Sequence, residues 1–251
     1  MRRKRKTNSK KILLLIAFLI VVFLLYFFSD KIKTIAKPAK VEPPISEERS
    51  ISTQPISFEQ KSRSDELQKF TYDIKYPYFN IDFVDQDIKK TIDGKFQTFE
   101  KDAIVNEIFG DYKFDFTVTF EDYLVSDEVV SIKFIASSFL GGAHGIHDVI
   151  PKNYDLKQKQ EIQLEDMFDS KGYLKYVSDK AIAQLLAQKV SDESWIKTGA
   201  AASKENFKNF NISKDGKTII FHFSHYQVAP YYLGIIPFEV DIEELKPFLK
   251  N

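Results

Sequence analysis

Near the middle of the chain, Gly141-Gly142-Ala143-His144-Gly145 sets three glycines around one histidine. Glycine admits positive φ and a close approach of backbone to a ligand, and imidazole changes charge nearest to neutral pH. Together they predict a ligand-binding or proton-handling loop. The competing reading is a tight crossover between strands, with His144 bonded to backbone. All four histidines fall into two His-x-x-His pairs, His144/His147 and His222/His225. Four imidazoles could hold zinc. Residues three apart on a strand face opposite sides, however, so His225 must turn off the strand to meet His222. The spacing is therefore read as coincidence among loop histidines, with no metal and no cofactor expected.

The second candidate segment is Tyr226-Gln227-Val228-Ala229-Pro230-Tyr231-Tyr232-Leu233-Gly234. Three tyrosines around a proline present flat apolar faces with polar tips, suited to stacking on a sugar or a peptide. A packed corner between two strands is the other reading. The candidate binding residues are thus Gly141, Gly142, His144, Gly145, Tyr226, Pro230, Tyr231 and Tyr232. No catalytic residue is assigned. Ser137 and Ser138 lack a Gly-x-Ser-x-Gly elbow, and no phosphate loop or dinucleotide fingerprint occurs. Glu165, Asp166 and Asp169 read as a loop and helix start, where negative charge is favourable. A wall-polymer hydrolase using His144 as acid or base stands as the alternative.

The elements that must carry these residues alternate between strand and helix periods. Phe70, Tyr72, Ile74 and Tyr76 recur every second residue, a strand that Pro77 should end. Val84, Ile88, Ile92, Phe96 and Phe99 recur at helical spacing, with Gly94 as a weak point. Strands follow over 112–120 and 130–139, paired through a turn near Ser126-Asp127. Tyr154 and Leu156 should pair with Ile162 and Leu164. A helix over about 172–190 precedes a hairpin around Lys214-Asp215-Gly216-Lys217, where Asp-Gly signals a tight turn. A strand at 235–240 and a short helix at 242–249 close the chain. The fold class is α+β, antiparallel sheets with packed helices.

Ahead of this lies Ile12–Phe28, seventeen apolar residues preceded by seven basic ones. As a helix the run is about 26 Å long, close to the hydrocarbon thickness. It predicts a single N-terminal transmembrane helix, with the basic tail cytoplasmic and the rest extracytoplasmic at the cell membrane. A cleaved secretory signal is disfavoured, because the run exceeds the usual apolar core and no small-residue cleavage site follows. The chain has no cysteine, which excludes a lipid-bearing cysteine and disulfides alike. The expected organisation is a cytoplasmic tail at 1–11, an anchor at 12–28, a Pro-containing linker at 29–65, a first α+β module at 66–140 and a second at 141–251. Beyond residue 11 there remain 29 basic against 36 acidic side chains, a balance of −7. That disfavours nucleic acid and suits a cationic partner.

At Tyr72-Asp73-Ile74-Lys75-Tyr76-Pro77, and more fully at Ser131-Ile132-Lys133-Phe134 leading into Gly141–Gly145, the chain resembles a known family. Tyr154-Asp155-Leu156, Ile162–Phe168, Tyr226–Tyr231 and Ile236-Pro237-Phe238 extend the likeness over roughly residues 66–250. It resembles the paired extracytoplasmic modules of PdaC-type peptidoglycan deacetylases and RsiV-type anti-sigma factors. The resemblance implies an envelope-associated recognition module for a cell-wall glycan or for a cationic wall-active protein such as lysozyme. It does not carry over either activity. A deacetylase needs a further domain with Asp and His metal ligands, an anti-sigma factor needs a cytoplasmic domain, and neither is expected in this chain. A sensor regulated by proteolysis at the anchor is a third possibility.

Overall fold

The computed structural model describes residues 54–106, 113–168 and 172–250. The expected anchor at 12–28 lies outside these, and among the described residues no helix is long and apolar enough to cross a membrane. Six strands make the first sheet in the order β1-β2-β3-β4-β5-β6: β1 (Glu59–Glu66), β2 (Phe70–Tyr78), β3 (Phe114–Val125), β4 (Val129–Phe139), β5 (Ile146–Asp155) and β6 (Gln160–Glu161). All neighbours are antiparallel except β2 and β3, which run parallel from Phe70↔Phe114 to Ile74↔Val118. The crossover between them carries α1 (Asp82–Val105).

The helix forms because its apolar stripe, Val84, Ile88, Ile92, Phe99 and Ala103, is buried along one face. Its start is fixed by Asp85, whose carboxylate accepts from the Phe79 and Ile81 N–H groups at 2.8 Å each. The stripe packs on Phe70, Ile74, Val118, Ile132 and Phe134 of the sheet. Ser126 closes the β3–β4 hairpin by accepting from the Val129 N–H at 3.0 Å.

A second, three-stranded sheet holds β7 (Phe210–Ile212), β8 (Thr218–Phe223) and β9 (Ile236–Asp241), all antiparallel. Against it pack α2 (Gly172–Gln188), α3 (Glu193–Gly199), α4 (Lys204–Phe207) and α5 (Ile242–Leu245). A buried polar network joins the two sheets. The Ser131 hydroxyl on β4 donates to Asn153 Oδ1 on β5 at 2.6 Å, and accepts from Asn211 Nδ2 and the Ile212 N–H of β7 at 3.0 and 2.9 Å. Asn211 Nδ2 also donates to the Ile132 carbonyl at 2.9 Å, which turns its Oδ1 toward His222 Nε2, 2.9 Å away. His222 therefore carries its proton on Nε2. Burial, and then the positive charge of Lys133, lower its pKa to about 4.

Four expectations change. Order starts before residue 66: β1 occupies the end of the expected linker at 29–65 and is almost wholly exposed, so no apolar alternation marks it. Pro77 lies inside β2, beyond the last residue registered with β3, where no ladder on that side is broken. The Tyr154 hairpin exists, but its register is Tyr154↔Glu161 and Asp155↔Gln160. The 140/141 division falls within the first sheet, since β5 and β6 pair onto β4.

Candidate functional site

The turn between β4 and β5 meets the connection between β8 and β9. Gly141 and Gly142 take φ of 80° and 122°, so the turn reverses through backbone that L side chains rarely adopt. Gly145 lets it close: a Cβ there would sit 3.1 Å from the Ser138 carbonyl oxygen. The Gly145 carbonyl accepts from the Tyr231 hydroxyl at 2.9 Å and lies 2.8 Å from His144 Nδ1. A carbonyl can only accept, so neutral His144 holds its proton on Nδ1 and its Nε2 accepts from the Tyr226 hydroxyl at 3.2 Å. His144 is bonded to backbone, and it also joins a cluster.

Tyr231 is the hub. Its ring stacks on His144 with centroids 4.0 Å apart, and lies 4.6 Å from His225, 5.5 Å from Tyr226 and 6.1 Å from His147. His147 and His225 stack at 5.1 Å. His147 is oriented by its cross-strand neighbour Ser137, whose hydroxyl lies 2.6 Å from Nδ1. His225 leaves β8 after Phe223, as convergence required, but it joins His144 and His147 rather than His222. Its Nδ1 is buried with no hydrogen-bond partner. Burial, and then the proximity of His147 and His144, push its pKa down.

The β8–β9 connection is held in an unfavourable backbone conformation. Tyr226 has φ of 63°, which costs a non-glycine residue about 1–2 kcal/mol. Gln227 pins it, donating to the Gly199 and Asn206 carbonyls at 3.0 and 2.9 Å and accepting from the Ser224 N–H at 3.0 Å. Trp195 Nε1 donates to the Tyr226 carbonyl at 2.9 Å.

The cluster walls a cleft of about 440 Å³. Lys95 from α1, Asp148, Val149 and Ile150 from β5, Lys208 and Asn209 after α4, and Ser224 also line it. Lys95 pairs with Asp148 at 2.6 Å and Lys208 with Glu205 at 2.5 Å. Of the residues lining the cleft, Ile146 at the start of β5 and Tyr226 are exposed, and Tyr232 and Leu233, which follow Tyr231 in the same connection, are exposed as well.

Of the candidate residues, His144, Gly145, Tyr226 and Tyr231 come together, while Gly141 and Gly142 form the turn behind them. Pro230 starts the 3-10 turn Tyr231–Leu233 that places Tyr231, and Tyr232 is 82% exposed, outside the ring stack. The sequence left out His147 and His225 from this group, together with Lys95 and Lys208. Both histidines were visible as members of their pairs; nothing local signalled that one member of the second pair would turn to the first. Among the described residues no group of three or more His, Asp or Glu is placed to hold a metal ion. The arrangement offers ring faces, imidazole nitrogens and ammonium groups to a ligand.

Residues 63–147 match the family described as Deacetylase PdaC, and residues 165–243 match Protein of unknown function (DUF3298). Over 186 residues the chain is 29% identical to peptidoglycan-N-acetylmuramic acid deacetylase PdaC of Bacillus subtilis (strain 168), covering 72% of this chain and 39% of that protein. The chain thus spans about two fifths of that relative's length. Two crystal structures share the fold at 15% identity. A DUF3298 family protein from Pseudomonas aeruginosa PAO1 gives a TM-score of 0.62, covering 79% of this chain and 96% of that one. One from Bacteroides fragilis NCTC 9343 gives 0.52, covering 79% and 95%. One wall of the cleft comes from each matched region: His144 and His147 from the first, His225, Tyr226 and Tyr231 from the second.

Proposed function

Because the chain carries a PdaC-like module, we propose that it is an envelope recognition module which binds cell-wall glycan in the cleft around Tyr231. The observation that carries this reading is the cluster of Tyr226 and Tyr231 with His144, His147 and His225 along one concave cleft, with Tyr226 exposed. Sugar rings present apolar faces for stacking and hydroxyls for hydrogen bonds, and such a site supplies both. In this reading the segment at 12–28 anchors the module in the cell membrane and the region after it lies outside, within reach of the wall.

The acidic surface balance favours a cationic protein, but the cleft itself is lined by lysines and histidines. That local charge speaks against a cationic ligand in the cleft and so supports the glycan reading. Catalysis through His144 is disfavoured by its bonding, since both ring nitrogens already have partners within the protein.

The test is retention of the full chain, held in detergent, on insoluble peptidoglycan. Wild type should sediment with the polymer, and Tyr231→Ala should stay in the supernatant while keeping its circular dichroism. A folded wild-type protein that does not sediment would sink the proposal.

A further inference from the structure

Every residue from His144 to Ile150 lines the cleft, without the alternation of a strand. A strand that shows one face to a cavity lines it at every second position, so this cleft runs along the edge of β5. Even-numbered residues of β5 turn toward α1, where Asp148 pairs with Lys95 and Lys152 with Asp87. Odd-numbered ones turn toward the second sheet, where His147 stacks on His225 and Asn153 Nδ2 donates to the Phe210 carbonyl. The edge is therefore the floor of a groove. Lys95 of α1 stands on one side of it, and Asn209, Ser224 and His225 on the other.

Backbone groups of successive residues in an antiparallel strand point to opposite sides. The Asn153 carbonyl accepts from the Ile162 N–H at 2.7 Å, on the side of β5 away from β4. By alternation Pro151, Val149 and His147 turn their backbone groups to that same side. β6 ends at Glu161, and the 3-10 turn Leu164–Asp166 takes the chain off the edge. Among the described residues nothing bonds to the outward N–H and C=O of His147 and Val149 or to the Pro151 carbonyl. This open stretch has a stop at each end. The Gly145 carbonyl is taken by the Tyr231 hydroxyl, and Pro151 has no N–H to offer. The opposite edge of the same sheet is guarded along its length, since β1 carries charge at Glu59, Lys61, Arg63, Asp65 and Glu66. Between its stops β5 has one carboxylate, Asp148, which is turned toward α1 and tied to Lys95.

We infer that this edge takes an extended segment of a partner polypeptide, which adds to the first sheet as a further strand beside β5 between Gly145 and Pro151. The repeat of the open groups identifies the ligand. Outward N–H and C=O pairs recur every second residue, roughly 6.8 Å apart, and an extended polypeptide presents acceptors and donors at that spacing. From His147 to Pro151 the stretch spans roughly 14 Å, enough for about four or five residues of the partner. Successive side chains of the added strand fall alternately toward Lys95 and toward His225. Backbone pairing thus supplies affinity, and the two walls supply selectivity. The inference goes beyond the glycan reading and does not rest on it, because these groups address a peptide backbone rather than rings and hydroxyls.

The test selects a phage-displayed library of peptides about seven residues long on the full chain held in detergent. Enriched peptides are then remade unmodified and in two forms N-methylated at alternate residues, one form for each edge of the peptide. One methylated form should lose binding and the other keep it, because only one edge pairs with β5. The unmodified peptide should slow hydrogen exchange at the His147 and Val149 amides at least roughly tenfold, leaving the Asp148 and Ile150 amides, which face β4, unchanged. Val149→Pro removes an outward N–H of the kind that Pro151 already lacks, so the β4 ladder and the circular dichroism should be retained while affinity falls at least roughly tenfold. Enrichment of no peptide, loss of binding in both methylated forms or in neither, binding without protection at His147 and Val149, or unchanged affinity in folded Val149→Pro overturns the inference. Where Val149→Pro does not fold, the methylation and exchange results on the wild-type chain decide it. Retention on peptidoglycan is a separate measurement, so the glycan reading stands or falls apart from this one.

Discussion

The indole nitrogen of Trp195 donates to the backbone carbonyl of Tyr226 at 2.9 Å, linking α3 to the most strained residue of the cleft wall. Trp195 is the single tryptophan of the chain, so its fluorescence reports on this loop without labelling. Trp195→Phe keeps the aromatic bulk and removes the donor. It should lower stability by about 1 kcal/mol, seen as a shift in the urea midpoint by circular dichroism, and weaken retention on peptidoglycan. An unchanged midpoint with unchanged retention would show that the bond does not hold the loop.

Gly199 ends α3 directly beneath that loop. A Cβ on it would meet the Gln227 carbonyl oxygen at 1.8 Å and the Val228 side chain at 2.9 Å, and backbone cannot move aside as a flexible side chain can. Gly199→Ala should destabilise by about 1–3 kcal/mol and displace Tyr226. Thermal unfolding measures the first effect, and the Trp195 emission maximum the second. Retention of wild-type values in both would contradict the contact.

His222 predicts how stability depends on pH. Its folded pKa is lowered to about 4 from 6.5, so between those values the unfolded chain binds more protons than the folded one. Stability is then fully present above about pH 6.5 and falls as the pH drops toward 4, by up to about 3 kcal/mol. Urea midpoints between pH 7.5 and 4 should follow this slope. In His222→Gln, which retains a donor for Asn211 but does not titrate, the slope over this range should flatten even though the variant is less stable at pH 7. A slope identical to wild type would assign the effect to other groups.

Gly94 gives a test in the opposite direction. It lies on the exposed side of α1, and a Cβ there would meet nothing within 4 Å. Gly94→Ala should raise stability by about 0.5–1 kcal/mol through the lower backbone entropy of the unfolded chain, with cleft binding unaltered. A lower melting temperature would mean that the helix needs flexibility at this point.

Much of the α+β fold was legible because its burial is periodic. The stripe of α1, the alternation through Phe114, Phe116 and Val118, and the Asp215-Gly216 turn each announce themselves locally. β1 did not, since an edge strand reading Glu-Gln-Lys-Ser-Arg-Ser-Asp-Glu buries almost nothing and is held by the ladder to β2 and by the pairing of Arg63 with Asp93 of α1. The parallel pairing of β2 with β3 was equally hidden, because it depends on α1 spanning the crossover rather than on residues near a turn. In the site, loop composition drew attention to His144 and Tyr231. That His225 would stack on His147 follows from which sheet packs on which, and no short-range pattern encodes it.

The Ser131 hydroxyl bears on how such chains can be rearranged. It serves Asn153 on its own sheet and Asn211 and Ile212 on the other. Severing the chain between β6 and α2 and separating the halves would leave these groups without partners on newly opened surfaces. The two matched stretches are thus expected to travel between proteins as one cassette. A shuffled gene that exchanged only one of them would have to supply a matching hydroxyl and amide at the seam, or produce a product that aggregates.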